Sequence, residues 1–394
     1  MSVSYWRRGA GVTEPAADVV VIGAGICGVS AALALERRGL SVIVLEKGSL
    51  ACGASGRNAG FLMRGCAENY AAACETYGRD RAARLWRFTE QNLEALRAEG
   101  ADTLPGVQRI PSCLLAMEET EAGELARSAA MLREDGFDVG WVDPASAPRD
   151  LVWNHARALC GLINPNDGAA NSVQLLRFLA SKLRTPIWEG RSVLDIRESS
   201  VGVTIETQAE RVHAARAIVC VNSYLSRLMP AHADLVRPVR GQMLALRPRA
   251  PHPGLAMSYY ANHGYEYFRQ TVDGTIVLGG GRKQHAADEV GYEDTTTDPV
   301  QSFLEAFARD TFAVEFDVIA RWSGVMGFSA DGLPLMGPVS EPGNVWFCGG
   351  FTGHGMSMGF LAAQQCVSAM LDRVPVEFPL PPAHQKHPTS RRAG

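Results

Sequence analysis

A glycine-rich turn near the N-terminus constrains this chain more than any other feature. A short apolar run leads into Gly-x-Gly-x-x-Gly, made by Gly23, Gly25 and Gly28, and an Ala- and Leu-rich segment with helical spacing follows. A second apolar run then ends on Glu46, roughly 20 residues past the turn. The order of strand, glycine turn, helix, strand and acid predicts a βαβ unit that binds a dinucleotide.

Each part of this motif has a physical role in binding. Gly23 is expected to make the tight turn, Gly25 to let the backbone approach a pyrophosphate, and Gly28 to let helix and strand pack closely. The N-terminus of the helix offers free N–H groups and the positive end of its dipole to the phosphates. Glu46 is expected to accept hydrogen bonds from an adenosine ribose, and the absence of an arginine beside it argues against a 2′-phosphate.

The composition narrows the class of protein. At 394 residues the chain is long enough for two domains, and its net charge of -4 without a basic cluster argues against nucleic acid as a partner. The nine cysteines are scattered and form no Cys-x-x-Cys, which favours reduced thiols over a disulfide framework or a zinc site. No apolar stretch reaches the ~20 residues of a membrane span. We therefore expect a cytoplasmic protein with no metal site and no membrane partner.

The middle of the chain mixes helical and strand patterns. Helical spacing covers 69–97 and 118–134. A continuous apolar run within 216–223 predicts a buried parallel strand whose carboxyl end meets a ligand. Asp273-Gly274 between two β-rich runs predicts a hairpin, so this region is expected to form an antiparallel sheet.

Two further glycine-rich segments carry polar residues. The loop 53–60, Gly-Ala-Ser-Gly-Arg-Asn-Ala-Gly, is either a capped turn or a backbone track past a flat ligand, and the dinucleotide motif before it favours the track. Near the C-terminus the apolar run 345–349 leads into Gly350-Phe-Thr-Gly-His-Gly355 and a helix. A second helix N-terminus is therefore expected to aim N–H donors at the ligand.

These three segments together resemble the D-amino-acid-oxidase-like superfamily of FAD enzymes, and most specifically its gamma-glutamylputrescine oxidase and monomeric sarcosine oxidase branch. The resemblance spans nearly the whole chain. It implies a mixed α/β (α+β) fold, in which a Rossmann-like FAD-binding domain is interleaved with an antiparallel-sheet substrate domain that roofs the flavin. The expected segments are 15–84, 153–235 and 325–373 for the FAD-binding domain, 85–152 and 236–324 for the substrate domain, and a tail at 374–394.

The resemblance also implies a reaction. An amine of the form R–CH₂–NH–R′, or an amino-acid derivative, would lose a hydride to flavin N5 and the imine would hydrolyse, while O₂ would reoxidise the flavin and give H₂O₂. Two other hypotheses stay open. One is a dehydrogenase or biosynthetic tailoring enzyme that uses another electron acceptor, and the other is a non-enzymatic FAD-binding subunit. The sequence predicts no oligomeric state.

Two departures from the family pattern concern the flavin. Residues 321–330 contain no cysteine, and Ser323 lies near the position where sarcosine oxidases attach their flavin, so the resemblance implies noncovalent FAD. Val277 stands where sarcosine oxidase has an oxygen-activating lysine, which keeps the dehydrogenase hypothesis open.

A third departure concerns the substrate. Met326 occupies the position of the arginine that holds an α-carboxylate in glycine and D-amino-acid oxidases. A thioether cannot form that bidentate ion pair, so amines are expected to outrank simple α-amino acids as substrates. Arg57, Arg269 and Arg282 are the cations that could restore a carboxylate anchor from another direction.

The candidate site residues follow from these segments and from the resemblance. The catalytic candidates are His354 and Arg57. For each an alternative stays open, because the ring of His354 could pack while its backbone lines the flavin, and Arg57 could cap its own loop. The substrate-binding candidates are Tyr265, Tyr267, Trp322 and Met326, of which the two tyrosines form either an aromatic wall for an alkylammonium or ordinary strand residues. The candidate FAD-binding residues are Gly23, Gly25, Ile26, Cys27, Gly28, Glu46, Lys47, Ser55, Gly56, Arg57, Asn58, Ala59, Gly60, Val193, Asn222, Gly350, Gly353, His354, Gly355 and Met356.

Overall fold

The computed structural model describes residues 14–153, 158–339 and 341–381, so the predicted tail lies largely outside the described residues. The strands of the described residues are β1 Ala16–Ile22, β2 Val42–Leu45, β3 Phe61–Leu62, β4 Val107–Gln108, β5 Ser112–Ala116, β6 Gly140–Val142, β7 Cys160–Asn164, β8 Gly168–Ala170, β9 Ile187–Trp188, β10 Val193–Ser199, β11 Gly202–Thr207, β12 Arg211–Val219, β13 Val236–Pro248, β14 Ser258–Ala261, β15 Glu266–Gln270, β16 Ile276–Gly280, β17 Phe316–Ser329, β18 Leu335–Pro338 and β19 Val345–Gly349. The helices of the same residues are α1 Ile26–Arg37, α2 Ala54–Arg57, α3 Tyr70–Tyr77, α4 Arg79–Ala98, α5 Glu119–Glu134, α6 Ser172–Ala180, α7 Leu225–Leu228, α8 Asp298–Phe312 and α9 Gly355–Asp372.

The first large sheet is built around parallel strands. β1 pairs in parallel with β2 on one side and with β12 on the other, which confirms the parallel strand predicted within 216–223. The second half of β12 pairs in parallel with β19, whereas its first half pairs with antiparallel β11. Val19 to Ile22 of β1 are all buried, as expected of a strand that is covered on both faces.

Two helices from opposite ends of the chain pack together beside this sheet. The Ser30 hydroxyl of α1 donates to the carbonyl oxygen of Phe360 in α9 at 2.6 Å. The two backbones approach closely, because a Cβ on Gly359 would lie 2.8 Å from the Ile26 side chain. The helical layer beside this sheet therefore joins the first and last helices of the described residues.

The second large sheet has the order β17-β13-β16-β15-β14-β5-β7-β6, and its pairings are antiparallel except that of β14 with β5. The predicted hairpin is confirmed, since β15 and β16 pair around a turn in which Gly274 has a φ of 85°. β7 lies within 153–235 but pairs with β5 in this sheet. The domain boundaries themselves stay a prediction.

The helical pattern over 69–97 corresponds to two helices, where the sequence indicated one. Gly78 separates α3 from α4 with a φ of 85°, a conformation that breaks an α-helix and that favours glycine. The start at 69 is right, because the Asn69 side chain accepts a hydrogen bond from the Ala72 N–H and caps α3. None of the described helices is long and apolar enough to cross a lipid bilayer. The mixed α/β fold class is confirmed.

Candidate active site

A cavity of about 880 Å³ lies between the two large sheets. Its walls include the residues after β1, β2 and β12, the N-terminus of α9, and side chains of the antiparallel sheet. Open α/β sheets bind ligands at the carboxyl ends of their parallel strands, and this cavity lies at that edge.

The glycine turn after β1 has little room for side chains. Gly23 has a φ of 103°, and a Cβ there would lie 2.7 Å from the carbonyl oxygen of Cys220. A Cβ on Gly28 would lie 1.8 Å from the carbonyl oxygen of Gly23, so helix and turn pack as closely as the sequence predicts. Gly25 lines the cavity, and its Cβ would lie 2.9 Å from Ser55 Oγ. The turn therefore presents bare backbone to the cavity.

Glu46 directly follows β2 and is buried at the cavity wall. One carboxylate oxygen accepts a hydrogen bond from the Ala24 N–H and the other from the Gly48 N–H, both at 2.8 Å. These two bonds fix the carboxylate. The oxygen bonded to Gly48 also accepts a hydrogen bond from the Cys52 thiol at 3.4 Å, so the oxygen bonded to Ala24 is the one that keeps a lone pair for a ligand hydroxyl.

The N-terminus of α9 forms a second wall. Thr352 and Gly353 have φ angles of 48° and 87°, which turn the chain so that the helix begins at Gly355 beside the cavity. The first N–H groups of a helix lack intrahelical acceptors and carry the positive end of its dipole. Asn222 holds this loop against the end of β12, because its Oδ1 accepts a hydrogen bond from the Gly350 N–H at 2.9 Å.

These parts fit a dinucleotide such as FAD. The Ser223 hydroxyl is buried, belongs to a residue that lines the cavity, and has no hydrogen-bond partner among the described residues. Buried polar atoms are normally satisfied, so this one is suited to a polar group of a bound ligand. The residues that would hold the dinucleotide are the bare turn 23–25, Glu46, Ser223 and the first turn of α9.

The loop 53–60 is held by its own side chains. The Asn58 amide donates to the carbonyl oxygens of Ala54 and Ser55 at 3.0 and 2.8 Å, and its Oδ1 accepts from the Gly60 N–H. Gly60 has a φ of 80°, and a Cβ there would lie 1.9 Å from the carbonyl oxygen of Ala170. Asn58 lines the cavity as part of this fixed loop.

Arg57 is engaged by the protein itself. Its guanidinium donates to the carbonyl oxygen of Cys52 at 2.7 Å, to the Asp294 carboxylate at 2.6 Å and to the carbonyl oxygen of Ser323 at 3.0 Å. The indole N–H of Trp322 donates to the carbonyl oxygen of Arg57, and Trp322 does not line the cavity. Arg57 therefore positions the loop and β17, and its charge is already paired.

Arg269 is a second arginine whose hydrogen bonds go to the fold. Its side chain is buried and donates to the carbonyl oxygens of Ala59 at 2.5 Å and Ala170 at 2.8 Å. Burial lowers the pKa of Arg269 to about 10, so the guanidinium stays charged at neutral pH. It joins β15 to the loop and to β8, outside the cavity wall.

Aromatic side chains line the end of the cavity that faces the antiparallel sheet, and we call this the aromatic end. Its members are Phe61, Tyr260, Tyr265, Tyr267 and Phe328. Phe61 stands edge-on to Tyr260 and Tyr267 with ring centroids 4.9 and 6.2 Å apart, and the two tyrosines stack at 5.7 Å. Burial raises the pKa of both tyrosines, so both phenols are neutral at physiological pH.

Tyr260 was missed by the sequence analysis. It faces Tyr267 across the β14–β15 pair, so the two rings share one face of the sheet. The available signal was the short turn at 262–265 between two tyrosine-containing runs, which is typical of a hairpin.

His354 lies between the helix terminus and the aromatic end. Burial lowers the pKa of its imidazole, and a 3.4 Å contact between Nδ1 and the carbonyl oxygen of Thr352 opposes that shift. Its ring centroid is 6.5 Å from that of Tyr260. A neutral imidazole that donates from Nδ1 to this carbonyl keeps Nε2 as a hydrogen-bond acceptor.

A branch of the cavity beside α3 and α5 was also missed. Glu121, Glu124 and His263 line it, and the ring Nε2 of His263 lies 3.4 Å from a Glu124 carboxylate oxygen. The backbone N–H of His263 donates to the Glu121 carboxylate at 2.6 Å. The sequence of α5 shows only an amphipathic helical pattern, which contains no signal for these positions.

Most predicted site residues meet in this one cavity. Those that line it are Gly23, Gly25, Ile26, Cys27, Glu46, Lys47, Ser55, Arg57, Asn58, Ala59, Val193, Asn222, Tyr265, Tyr267, Met326, Gly353, His354, Gly355 and Met356. The predicted residues that do not line it are Gly28, Gly56, Gly60, Trp322 and Gly350. Gly28, Gly56 and Gly60 instead allow close approach between backbones, where a Cβ would lie within 2.1 Å of a carbonyl oxygen.

Comparison with known proteins agrees with this geometry. The chain is 26% identical over 363 residues to the gamma-glutamylputrescine oxidoreductase of Escherichia coli, over 88% of this chain and 82% of that protein. It is 25% identical over 381 residues to a probable oxidoreductase, OrdL, of Haemophilus influenzae, over 90% and 83% of the two chains. The crystal structure of glycine oxidase from Geobacillus kaustophilus superposes with a TM-score of 0.75 at 22% identity, over 96% of this chain and 100% of that one, and shows the same fold.

A family model described as DAO, FAD dependent oxidoreductase, matches residues 18–369. This match covers the glycine turn, both large sheets and the N-terminus of α9. The chain therefore belongs to the DAO family of FAD-dependent oxidoreductases.

Proposed function

We propose that this protein oxidises a C–N bond of a small-molecule amine, with the resulting imine hydrolysed to a carbonyl compound and a smaller amine. The observation that carries the proposal is that the bare glycine turn and the aromatic end open into the same cavity. A dinucleotide held at the turn and an amine held at the aromatic end would therefore share one enclosed space. The similarity to the gamma-glutamylputrescine oxidoreductase of Escherichia coli, which is named for a putrescine derivative, supports the same substrate class.

The chain supplies the binding groups for the cofactor. Bound FAD supplies a two-electron acceptor for the hydrogen on the carbon next to the amine nitrogen. The turn 23–25 and the N-terminus of α1 suit the diphosphate, and Glu46 suits the ribose hydroxyls. The N-terminus of α9 would stabilise negative charge on the flavin, because helix N–H groups and the dipole favour anions.

The aromatic end prepares the amine for oxidation. The nitrogen must be neutral, since only its lone pair can stabilise the electron-deficient carbon. Phe61, Tyr260 and Tyr267 offer ring faces and edges but no carboxylate, so they desolvate the amine and favour its neutral form. Ring faces still attract an alkylammonium on its way in.

His354 is suited to accept a hydrogen bond from the amine. Burial keeps its imidazole neutral near pH 7, and its ring lies beside Tyr260 at the aromatic end. Arg57 does not share this role in our proposal, because the Asp294 carboxylate already pairs its charge. We assign Arg57 to positioning of the loop against β17.

A second candidate function is a dehydrogenase that passes electrons to a carrier other than O₂. The observation that favours it is the position of Val277, which packs against the small core cluster that contains Phe61 and Met243 and does not line the cavity. Among the described residues, Lys47 is the one lysine that lines the cavity. Its ammonium lies 3.5 Å from the centroid of the Tyr224 ring, and Tyr224 is not part of the aromatic end. No lysine of the described chain therefore lines the aromatic end.

The decisive experiment is anaerobic reduction of the bound flavin. The panel contains secondary alkylamines, N-alkyl polyamine derivatives, glycine, sarcosine and D-alanine. We expect a secondary amine to bleach the flavin faster than glycine, sarcosine or D-alanine, and product analysis should find an aldehyde. Admission of O₂ or of an artificial dye then separates the two candidates, because an oxidase releases one H₂O₂ for each flavin reoxidised. If no amine or amino acid bleaches the flavin, the proposed function is wrong.

A further inference from the structure

Arg282 follows β16 and reaches into the cavity wall at the aromatic end. Its guanidinium carbon lies 5.3 Å from the ring centroid of Phe328 and 5.9 Å from that of Tyr265. The side chain is half-buried and lines the cavity. Its positive charge acts on the tyrosines of the aromatic end, because it opposes the rise that burial causes in the pKa of Tyr260 and of Tyr267.

Other cavity arginines have their charge paired by the protein. Carboxylate oxygens lie 2.6 Å from Arg57, 2.8 Å from Arg64 and 2.9 Å from Arg191. No carboxylate oxygen of the described residues lies within 4.0 Å of Arg282, and its close contacts are with aromatic rings. The buried Glu266 carboxylate is the nearby anion, since Arg282 opposes the rise that burial causes in the pKa of Glu266, but it forms no ion pair with Arg282.

Arg227 resembles Arg282 in packing on an aromatic ring, but its place in the cavity is different. It lies 3.9 Å from the centroid of the Tyr292 ring, whose hydroxyl donates to the carbonyl oxygen of Ser223. Arg227 therefore lies near Ser223, whose unpartnered hydroxyl we assign to the dinucleotide. Of the arginines of the described residues that line the cavity, Arg282 is therefore the one at the aromatic end without a carboxylate partner. The Lys283 ammonium also lies 5.9 Å from the centroid of the Tyr265 ring, but Lys283 does not line the cavity.

The half-buried guanidinium of Arg282 contacts two aromatic rings but donates no hydrogen bond to a described residue, so its N–H groups can still bind an anion. Partial burial removes some of the water that would solvate its charge, and the contacts with ring faces replace only part of that stabilisation. A carboxylate would complete it with two parallel charge-assisted hydrogen bonds, for which the planar guanidinium fork is shaped. A singly charged, flat group also suits the apolar walls better than a phosphate dianion would.

We propose that Arg282 binds a carboxylate of the substrate, so that the oxidised molecule is an amine with a carboxylate several bonds away from its reacting C–N bond. This inference rests on the proposed function. The separation follows from β17, in which Met326 and Phe328 both line the cavity and are two residues apart on one strand face. Two residues span about 7 Å along a strand, so an anion beside Phe328 lies about 7 Å from the position of Met326, where the family arginine would hold an α-carboxylate. The carboxylate that Arg282 binds is therefore farther from the reacting C–N bond than an α-carboxylate is.

The test compares matched ligands on the FAD-loaded protein. Reduction is measured anaerobically for ω-(methylamino)carboxylates of increasing chain length, for their methyl esters and for sarcosine. Binding without turnover is measured by calorimetry with unbranched alkyl carboxylates, which have no amine to oxidise. The variants are Arg282→Gln, Arg282→Lys and the control Lys283→Gln, which removes the same charge from the neighbouring exposed residue outside the cavity wall.

We expect a longer ω-amino acid to reduce the flavin more efficiently than its ester and than sarcosine. Arg282→Gln should raise the Kd of the alkyl carboxylate about 10- to 100-fold and the KM of the amino acid similarly, while changing the values for the ester less than about threefold. Arg282→Lys should recover part of the loss, and Lys283→Gln should behave like the wild type.

Equal efficiency for acid and ester, or an unchanged carboxylate Kd in Arg282→Gln, would overturn the assignment. If neutral amines reduce the flavin while Arg282→Gln has no effect, the proposed function stands and this inference fails. If nothing reduces the flavin but carboxylates still bind through Arg282, the anion site stands and the proposed function fails. Thermal unfolding of each variant shows that a loss of binding does not come from misfolding.

Discussion

At the scale of single residues, Gly25 offers the most direct test of the cofactor site. Gly25→Val places a branched side chain next to Ser55 and into the cavity, where the diphosphate is expected. We expect soluble protein that retains at most about a tenth of the wild-type FAD, a loss of about 1.4 kcal/mol or more in binding. Flavin absorbance relative to protein absorbance measures this. Gly123→Val is the matched control, since Gly123 is exposed and a Cβ there meets nothing within 4 Å. Normal FAD content in Gly25→Val would mean that the phosphate site lies elsewhere.

His354 predicts a pH dependence of stability. Its pKa in the folded protein lies below the ordinary value of about 6.5, so below that pH the unfolded chain binds more protons than the folded one. The free energy of unfolding should therefore fall as the pH falls below about 6.5, by up to ~1.4 kcal/mol per pH unit from this group. Urea unfolding at about pH 7.5 and about pH 5.5 should show a larger loss for the wild type than for His354→Asn. Equal losses in the wild type and in His354→Asn would show that the pKa of His354 is the same in the folded and in the unfolded chain.

At the scale of structural elements, the loop 53–60 depends on Gly60. A Cβ there would lie 1.9 Å from the carbonyl oxygen of Ala170 and 2.6 Å from the Arg269 guanidinium, so loop, β8 and β15 would have to separate. We expect Gly60→Ala to lower the free energy of unfolding by about 3 kcal/mol or more. Gly100→Ala is the control, because Gly100 also has a positive φ but its Cβ would meet only Phe178 at 3.5 Å. That control should lose about 1 kcal/mol in urea unfolding, and equal losses would mean that the positive φ alone matters.

The elements also show where sequence patterns suffice. The parallel strand β12 and the β15–β16 hairpin could be predicted, because a buried strand and an Asp-Gly turn each have a local signal. The break between α3 and α4 could not be located from periodicity, because Gly78 interrupts the helix while the apolar spacing continues across it.

At the scale of the whole molecule, the predicted site residues that line the cavity lie mainly on continuous backbone segments. The glycine turn and the start of α9 are continuous segments, so their spacing in the sequence is preserved in the cavity. Tyr260 and Glu121 reach the cavity through strand pairing and helix packing, which no local pattern contains. Trp322 shows the converse, since it was predicted to bind substrate, but its indole N–H donates to the carbonyl oxygen of Arg57 and its ring does not line the cavity.

The whole molecule should bind FAD without a covalent bond. No cysteine lines β17, and the Ser323 hydroxyl near the expected attachment point is buried and donates to the Asp294 carboxylate at 2.8 Å. Acid or heat should therefore release the pigment as FAD, and saturating FAD should stabilise the apoprotein by about 2.7 kcal/mol at 100 times its Kd. Chromatography of the supernatant and thermal unfolding with and without FAD measure this, with FMN as the control ligand. Pigment that stays with the precipitated chain would show a covalent link.

The pairing of α1 with α9 has a consequence for how the protein is made. Ser30 and Phe360 are bonded although they are 330 residues apart, and β19 reaches β12 only after the antiparallel sheet has been synthesised. At about 5–20 residues per second, the ribosome needs roughly 15–65 s to deliver α9 after α1. During that interval α1 can pack on β1 and β2, but it lacks α9, which covers part of it in the finished fold. Because the start of α9 forms a wall of the cavity, we expect the nascent protein to take up its dinucleotide only after the last helix emerges. A chain cut before β19 is expected to keep an intact glycine turn yet remain empty.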